Sequence, residues 1–193
     1  MTPGLELLTD LVRQLARDPL PAGRSEALVK VLDALTLDDL GVRGAVRRAW
    51  AMRGAQWFSH PVVTDAAFHI DVFVLPRGAL IPLHDHPGMR VWLRVLEGTP
   101  RVRAFHPVER TPRGWVADID YDKVLTPDSE PLVITPERGC LHSVHGAWDV
   151  VSAFIDVSIP PYDEASGRGC TYYVEGKPVT REGKAYAHLT RGE

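Results

Sequence analysis

The sequence predicts a mainly-β domain, a sandwich or barrel, behind an N-terminal helical extension. Three observations lead there. Apolar residues up to about Arg53 recur at helical spacing. From Trp57 the texture changes to short alternating segments broken by Pro and Gly. Those segments follow one another at roughly ten-residue spacing with no helical pattern between them, which is how the strands of a sandwich or barrel are laid out.

Thr2-Pro3 has the form of an N-cap followed by proline at the first helical position. Leu5, Leu8, Leu11, Val12 and Leu15 then keep helical spacing until Asp18-Pro19 ends the pattern. Ser25, Leu28, Val31, Leu32 and Leu35 mark a second helix. A third is expected between Asp38 and about Arg53, interrupted near Gly41 and Gly44. These leucine stripes read as core-facing packing surfaces rather than as a partner-binding zipper. Residues 1–53 are thus expected as an extension packed on a β domain of residues 54–193. In that domain Phe68, Ile70, Val72 and Val74 alternate with His69, Asp71 and Phe73, and Pro76-Arg77-Gly78 turns the chain. Val91, Leu93 and Val95 alternate with Trp92, Arg94 and Leu96, and Glu97-Gly98 leads into Arg101 to Phe105. Pro107 to Ser129 is polar and turn-rich, so weak strands and a surface excursion are expected there. Leu132 to Thr135, Leu141 to Val144 and Val150 to Val157 supply the remaining strands.

Composition narrows the function. The 193 residues are 45% hydrophobic and 24% charged, ordinary for a soluble domain with a real core. A formal net charge of −3 implies no general attraction to nucleic acid or anionic membrane. Two cysteines, Cys140 and Cys170, make no disulfide framework. With no leader pattern and no apolar run long enough to span a bilayer, a cytoplasmic protein is expected; a monomer is expected as well.

The chemistry centres on Gly78 to Gly98, which holds His84-Asp85-His86 after a short apolar run. Residues two apart on a strand share a face, so both imidazoles point one way and Asp85 points the other. Two neutral imidazoles aimed at one point suit a divalent transition metal. The segment Pro136-Glu137-Arg138-Gly139-Cys140-Leu141-His142 supplies a third.

Together these segments resemble the two motifs of the cupin barrel, a double-stranded β-helix that holds a metal in its mouth. The first cupin motif normally adds a glutamate ligand a few residues after the histidine pair. Here that slot falls on Val91, beside Arg90, and neither can ligate. The resemblance therefore implies His84, His86 and His142 as ligands, with no carboxylate. His145 is the rival for the third place. Residues three apart on a strand face opposite sides, and cupin spacing selects His142. His60, His69, His106 and His188 read as structural or surface residues. A three-histidine site leaves the metal's charge uncompensated and coordination positions open, which favours an anionic ligand such as a thiolate. Fe(II) there could take dioxygen, and Zn(II) could activate water; the residues alone leave both open.

Ile81-Pro82-Leu83-His84-Asp85-His86-Pro87-Gly88-Met89 is similar to the I-P-L-H-D-H-P-x-M signature of the cysteamine dioxygenase and plant cysteine oxidase family. Asp156-Val157-Ser158-Ile159-Pro160-Pro161-Tyr162 resembles its D-V-x-x-P-P-Y run, and Gly167 to Tyr173 its G-R-x-C-T-Y-Y run. The leading helices, with Asp39-Leu40-Gly41-Val42, resemble its N-terminal extension. The likeness covers most of the chain. It implies a cupin fold, Fe(II) on the three histidines, and addition of O2 to the thiol of cysteamine or of an N-terminal cysteine, giving a sulfinate. It further implies that Asp156 positions the substrate amine, directly or through water. Cys170 and Tyr172 fall two apart near the metal, where some thiol dioxygenases crosslink a cysteine to a tyrosine; a plain buried thiol is the simpler expectation for Cys170, and packing for Cys140. The chain departs from the family at Arg90 and Trp92, expected to narrow the entrance or add positive charge to it. It departs also at Arg138 to His145 and at Ala104-Phe105-His106-Pro107. Another three-histidine cupin enzyme, a zinc hydrolase included, and a non-catalytic ligand-binding cupin are the alternatives.

Overall fold

The computed structural model describes residues 1–17, 22–52 and 56–192. Thr2 accepts the amide of Leu5 on its side-chain oxygen (3.4 Å) and that of Glu6 on its carbonyl (3.0 Å), starting α1, Pro3–Arg17. Leu5, Leu8, Val12 and Leu15 form its buried stripe. Helix α2 spans Ala22–Ala34 and buries Leu28 and Leu32. Helix α3, Arg43–Ala49, is shorter than expected. The chain first makes a tight turn in which Gly41 takes a φ of +70°, and it becomes helical only beyond it. Asp18-Pro19 and the expected boundary at residues 53/54 fall outside or at the edge of the described residues. No helix among the described residues is long and apolar enough to cross a membrane.

The strands are β1 Phe58–Thr64, β2 His69–Leu75, β3 Leu80–Asp85, β4 Arg90–Glu97, β5 Arg101–Thr111, β6 Gly114–Val124, β7 Leu132–Ile134, β8 Leu141–His145, β9 Ser152–Ile159, β10 Tyr173–Glu175, β11 Val179–Arg181 and β12 Lys184–Arg191. One antiparallel sheet runs β1-β2-β9-β4-β7. The other runs β10-β12-β6-β5-β8-β3, with β11 paired to β12. From β2 to β9 the chain shuttles between the two sheets, crossing at almost every turn. That path is the double-stranded β-helix of a cupin.

The first sheet is covered on both faces. Ile70, Val72, Val74, Trp92, Ala153, Ile155 and Val157 pack outward against the leucines of the helices. Val91, Leu93, Val95 and Phe154 pack inward against Ile81, Val102 and Val144 of the second sheet. Strands β4 and β9 are accordingly apolar almost throughout. Trp92 is fully buried on the helix side, where its indole N–H donates to Ser25 (3.3 Å), and Arg94 reaches Asp33 of α2 (3.0 Å). Arg90 shares that face by alternation. The expectation that Arg90 and Trp92 narrow the entrance is therefore corrected: both face away from the barrel interior.

A second correction concerns residues 107–129. The weak strands expected there are present, as parts of a long hairpin, β5–β6, which takes up most of the stretch where a surface excursion was also expected. In β6 the half-buried Asp118 and Asp120 and the exposed Asp122 interrupt the apolar residues, so the sequence reads as polar. Strands β10 and β11, short and polar, and the longer β12 extend the same sheet. Gly98 makes the turn from β4 to β5 with a φ of +80°, and a Cβ there would sit 2.3 Å from the Val151 carbonyl. Only glycine fits.

Candidate metal centre and its pocket

Strand β3 carries two of the three histidines, and an irregularity aims them. Its pairing with β8 shifts register between Ile81 and His84, with Pro82 in the gap. Ile81 and His84 thus both face the barrel interior, three residues apart, where strict alternation would oppose them. His84 then pairs directly with His142 of β8. His86 follows just past the strand, its amide held by the Cys140 carbonyl (2.9 Å).

The three rings converge, with ring centres 4.7–4.9 Å apart. Their ligating nitrogens all lie within 4.8 Å of one another, and His84 Nε2 is 3.1 Å from His86 Nε2. Each ring is held from behind. His84 Nδ1 donates to the Pro82 carbonyl (2.8 Å) and His142 Nδ1 to that of Gly139 (2.9 Å). The Tyr162 hydroxyl donates to the Asp85 carbonyl (2.6 Å) and accepts from His86 Nδ1 (2.9 Å). With the protons on Nδ1, three Nε2 lone pairs face a common point, the arrangement that orients histidines in metal sites. Burial lowers the pKa of all three: His142 falls to about 3, and His86 goes well below its ordinary value, with the other two rings adding to the effect. They are neutral donors at neutral pH. Small side-chain adjustments bring nitrogens this close to a single ion through bonds of about 2.0–2.1 Å, so the donor set fits a divalent transition metal. Among the described residues no other group of three His, Cys, Asp or Glu side chains is so placed.

The cluster lines a cavity of about 230 Å³, walled by Phe73, Ile81, Val144 and Phe154 and ringed by Trp57, Ser59, Tyr162, Cys170 and Tyr172. Asp156 of β9 also lines it. All six residues singled out in the sequence, His84, His86, His142, Asp156, Cys170 and Tyr172, therefore meet in one cavity. His145 does not: it is exposed on the other face of β8, 3.1 Å from Ser143. Cys170, expected as a buried thiol, stands exposed at the mouth beside Tyr172. Cys140 packs behind Leu141 and is no part of the cluster. Asp85 points away from the rings and takes the Thr171 amide (2.8 Å) and the Tyr173 hydroxyl (3.0 Å), which ties residues 171–173 over the pocket. A larger groove of about 540 Å³ crosses the other sheet, but its charges pair with one another, Arg103 with Glu175 and Lys184 with Asp118. Tyr162 and Asp71 were missed from the sequence; the first closes the P-P-Y run, and the second carried no signal of its own.

Asp156 has an oxygen buried without a hydrogen-bond partner, and burial, with Asp71 beside it, raises its pKa well above 3.8. A carboxyl whose pKa is raised on folding holds its proton more tightly when folded, so its contribution to stability is lost as pH climbs from 3.8 through the raised value. Asp156→Asn cannot ionise. In the metal-free protein at pH 7 it should melt higher than the wild type by roughly 2–4 °C, equivalent to about 1 kcal/mol in a chain of this size. The difference should vanish as the pH approaches 3.8. Thermal unfolding across pH checks this, and a variant that melts lower at pH 7 would refute it.

Residues 31–190 match the family model PCO_ADO. The chain is 34% identical over 145 residues to 2-aminoethanethiol dioxygenase of Homo sapiens, covering 63% of this chain and 53% of that protein. It is 30% identical over 189 residues to plant cysteine oxidase 2 of Arabidopsis thaliana, covering 87% and 67%. The chain spans about half the length of the human protein it matches. A solved structure of a Klebsiella pneumoniae protein with a double-stranded β-helix domain is similar at a TM-score of 0.45 and 14% identity, over 66% of this chain and 92% of that one. The histidine cluster, the barrel that presents it and the match over residues 31–190 agree: this chain belongs to the PCO_ADO family.

Proposed function

We propose that this protein is an iron(II) thiol dioxygenase that adds both atoms of O2 to the thiol of a small aminothiol or an N-terminal cysteine, giving a sulfinate. One observation carries the reading: three Nε2 atoms converge at the floor of a small, largely apolar pocket that also holds a carboxyl group. His84, His86 and His142 would hold the iron. When bound there, iron(II) supplies a Lewis acid that ionises a thiol and a centre that takes up dioxygen.

The chain supplies the rest. Phe73, Phe154, Ile81 and Val144 exclude water from the reacting sulfur. Asp156 offers a charge partner to an ammonium group at the far end of a short aminothiol. Tyr162 keeps the His86 ring in place. Tyr172, 44% exposed, stands where the cavity meets solvent, so a substrate longer than cysteamine would leave past it. The human and Arabidopsis relatives are named for 2-aminoethanethiol and cysteine, which supports a thiol as the substrate.

The test is oxygen uptake by protein loaded anaerobically with iron and offered cysteamine, free cysteine or a peptide that begins with cysteine. A product heavier by two oxygen atoms is expected from at least one. Protein holding about one equivalent of iron that consumes no oxygen with any of the three would sink the reading.

A further inference from the structure

Strand β2 sets a second carboxyl group beside Asp156. Asp71 stands directly opposite Asp156 in the β2–β9 ladder, and cross-strand partners on one face have Cβ atoms about 4.5–5.5 Å apart. The next row of the ladder shows which face this is. Phe73 lies opposite Phe154, their rings stack at 5.2 Å, and both line the cavity. Asp71 is two residues from Phe73, so it shares that face, half-buried beside Asp156 and one row beyond the part of β2 that lines the cavity.

Two carboxylates set opposite one another work against the sheet that carries them. Among the described residues no ion pair or side-chain hydrogen bond reaches Asp71 or Asp156, and one Asp156 oxygen is buried without a partner. His69, two residues before Asp71, acts on it through its charge but makes no ion pair with it, and burial outweighs that influence. A protonated amine from outside would complete the pair. A carboxylate from outside would be repelled by it.

We propose that Asp71 and Asp156 form a two-carboxylate subsite for the substrate's ammonium group, and that Asp71 sets a preference for thiols bearing an amine and no carboxylate of their own. The inference rests on the thiol dioxygenase reading and assigns its substrate selection to a residue pair. Cysteamine and a cysteine whose carboxyl is tied up in a peptide bond meet the requirement. Free cysteine and 3-mercaptopropionate do not.

Iron-loaded wild type, Asp71→Asn and Asp71→Glu should be compared on cysteamine and 3-mercaptopropionate, with iron content measured for each. Asp71→Asn is expected to raise KM for cysteamine about tenfold with kcat within about twofold, the pattern of a lost binding contact. The preference for cysteamine over 3-mercaptopropionate should fall by a similar factor, and Asp71→Glu should restore most of it. In the metal-free state Asp71→Asn should melt no lower than the wild type, since it relieves a repulsion. An unchanged preference, a loss confined to kcat, or a lower melting temperature would each overturn the role given to Asp71. Oxygen uptake by the wild type with that preference unchanged in Asp71→Asn defeats this inference alone. No uptake by the wild type with any thiol defeats the function beneath it, and this inference with it.

Discussion

His142→Ala should leave the protein without bound metal and without oxygen consumption, whereas His145→Ala should retain both. The two residues sit three apart on β8 but on opposite faces. His142 is 1% exposed, fixed by Gly139 and turned toward His84 and His86; His145 stands in solvent. Removing one of three ligands from a site with no carboxylate leaves two neutral nitrogens, too few to retain a divalent ion against water. The expected loss of activity exceeds about 100-fold, the upper end of what disturbing even a ligand's support costs. The fold should survive, since His142 is buried neutral and its loss strands no charge. Metal analysis, circular dichroism and oxygen uptake on both variants make the check. Loss of metal from His145→Ala instead would show that β8 presents its other face to the pocket.

Tyr162→Phe should weaken metal binding about 10- to 100-fold while leaving the barrel intact. The hydroxyl both anchors itself on the Asp85 carbonyl and holds the Nδ1 proton of His86, so it selects the tautomer that ligates through Nε2. Burial raises the phenol's pKa, so the hydroxyl keeps its proton throughout the pH range of the experiment. Phenylalanine keeps the ring that stacks on His86 with centres 5.3 Å apart, which isolates the hydrogen bond from the packing. Competition with a chelator of known strength measures the change. A shift of less than about twofold would mean that packing alone orients His86.

The paired histidines and the strands were legible because spacing encodes them, whereas His142 and the barrel came from the resemblance to the cupin motifs. An H-x-H pair puts two rings on one face, and alternation in β2, β4 and β9 announces strands. Alternation does not say which face looks inward when a sheet is covered on both sides. Trp92 could not be told from a pocket residue until helices α1 and α2 were seen against it. The register shift that turns His84 inward is equally silent, because Pro82 reads only as a break. Asp71 opposite Asp156, and Tyr162 behind His86, depend on pairing between segments 85 and 76 residues apart. Local pattern carries no such information. Weak strands were expected at β5–β6, but their length was not, because aspartates interrupt the apolar signal.

The order of parts along the chain has a consequence for biosynthesis. The three histidines are complete at residue 142, but the tyrosine that steadies His86 arrives at 162 and the mouth of the pocket only with residues 170–173. Asp85, already in place on β3, waits for Thr171 and Tyr173 to dock on it. A chain emerging from the ribosome therefore carries its metal-seeking nitrogens before it can close the pocket around a ligand. A metal ion captured at that moment would sit open to solvent, in a site whose mouth residues 170–173 have yet to wall off.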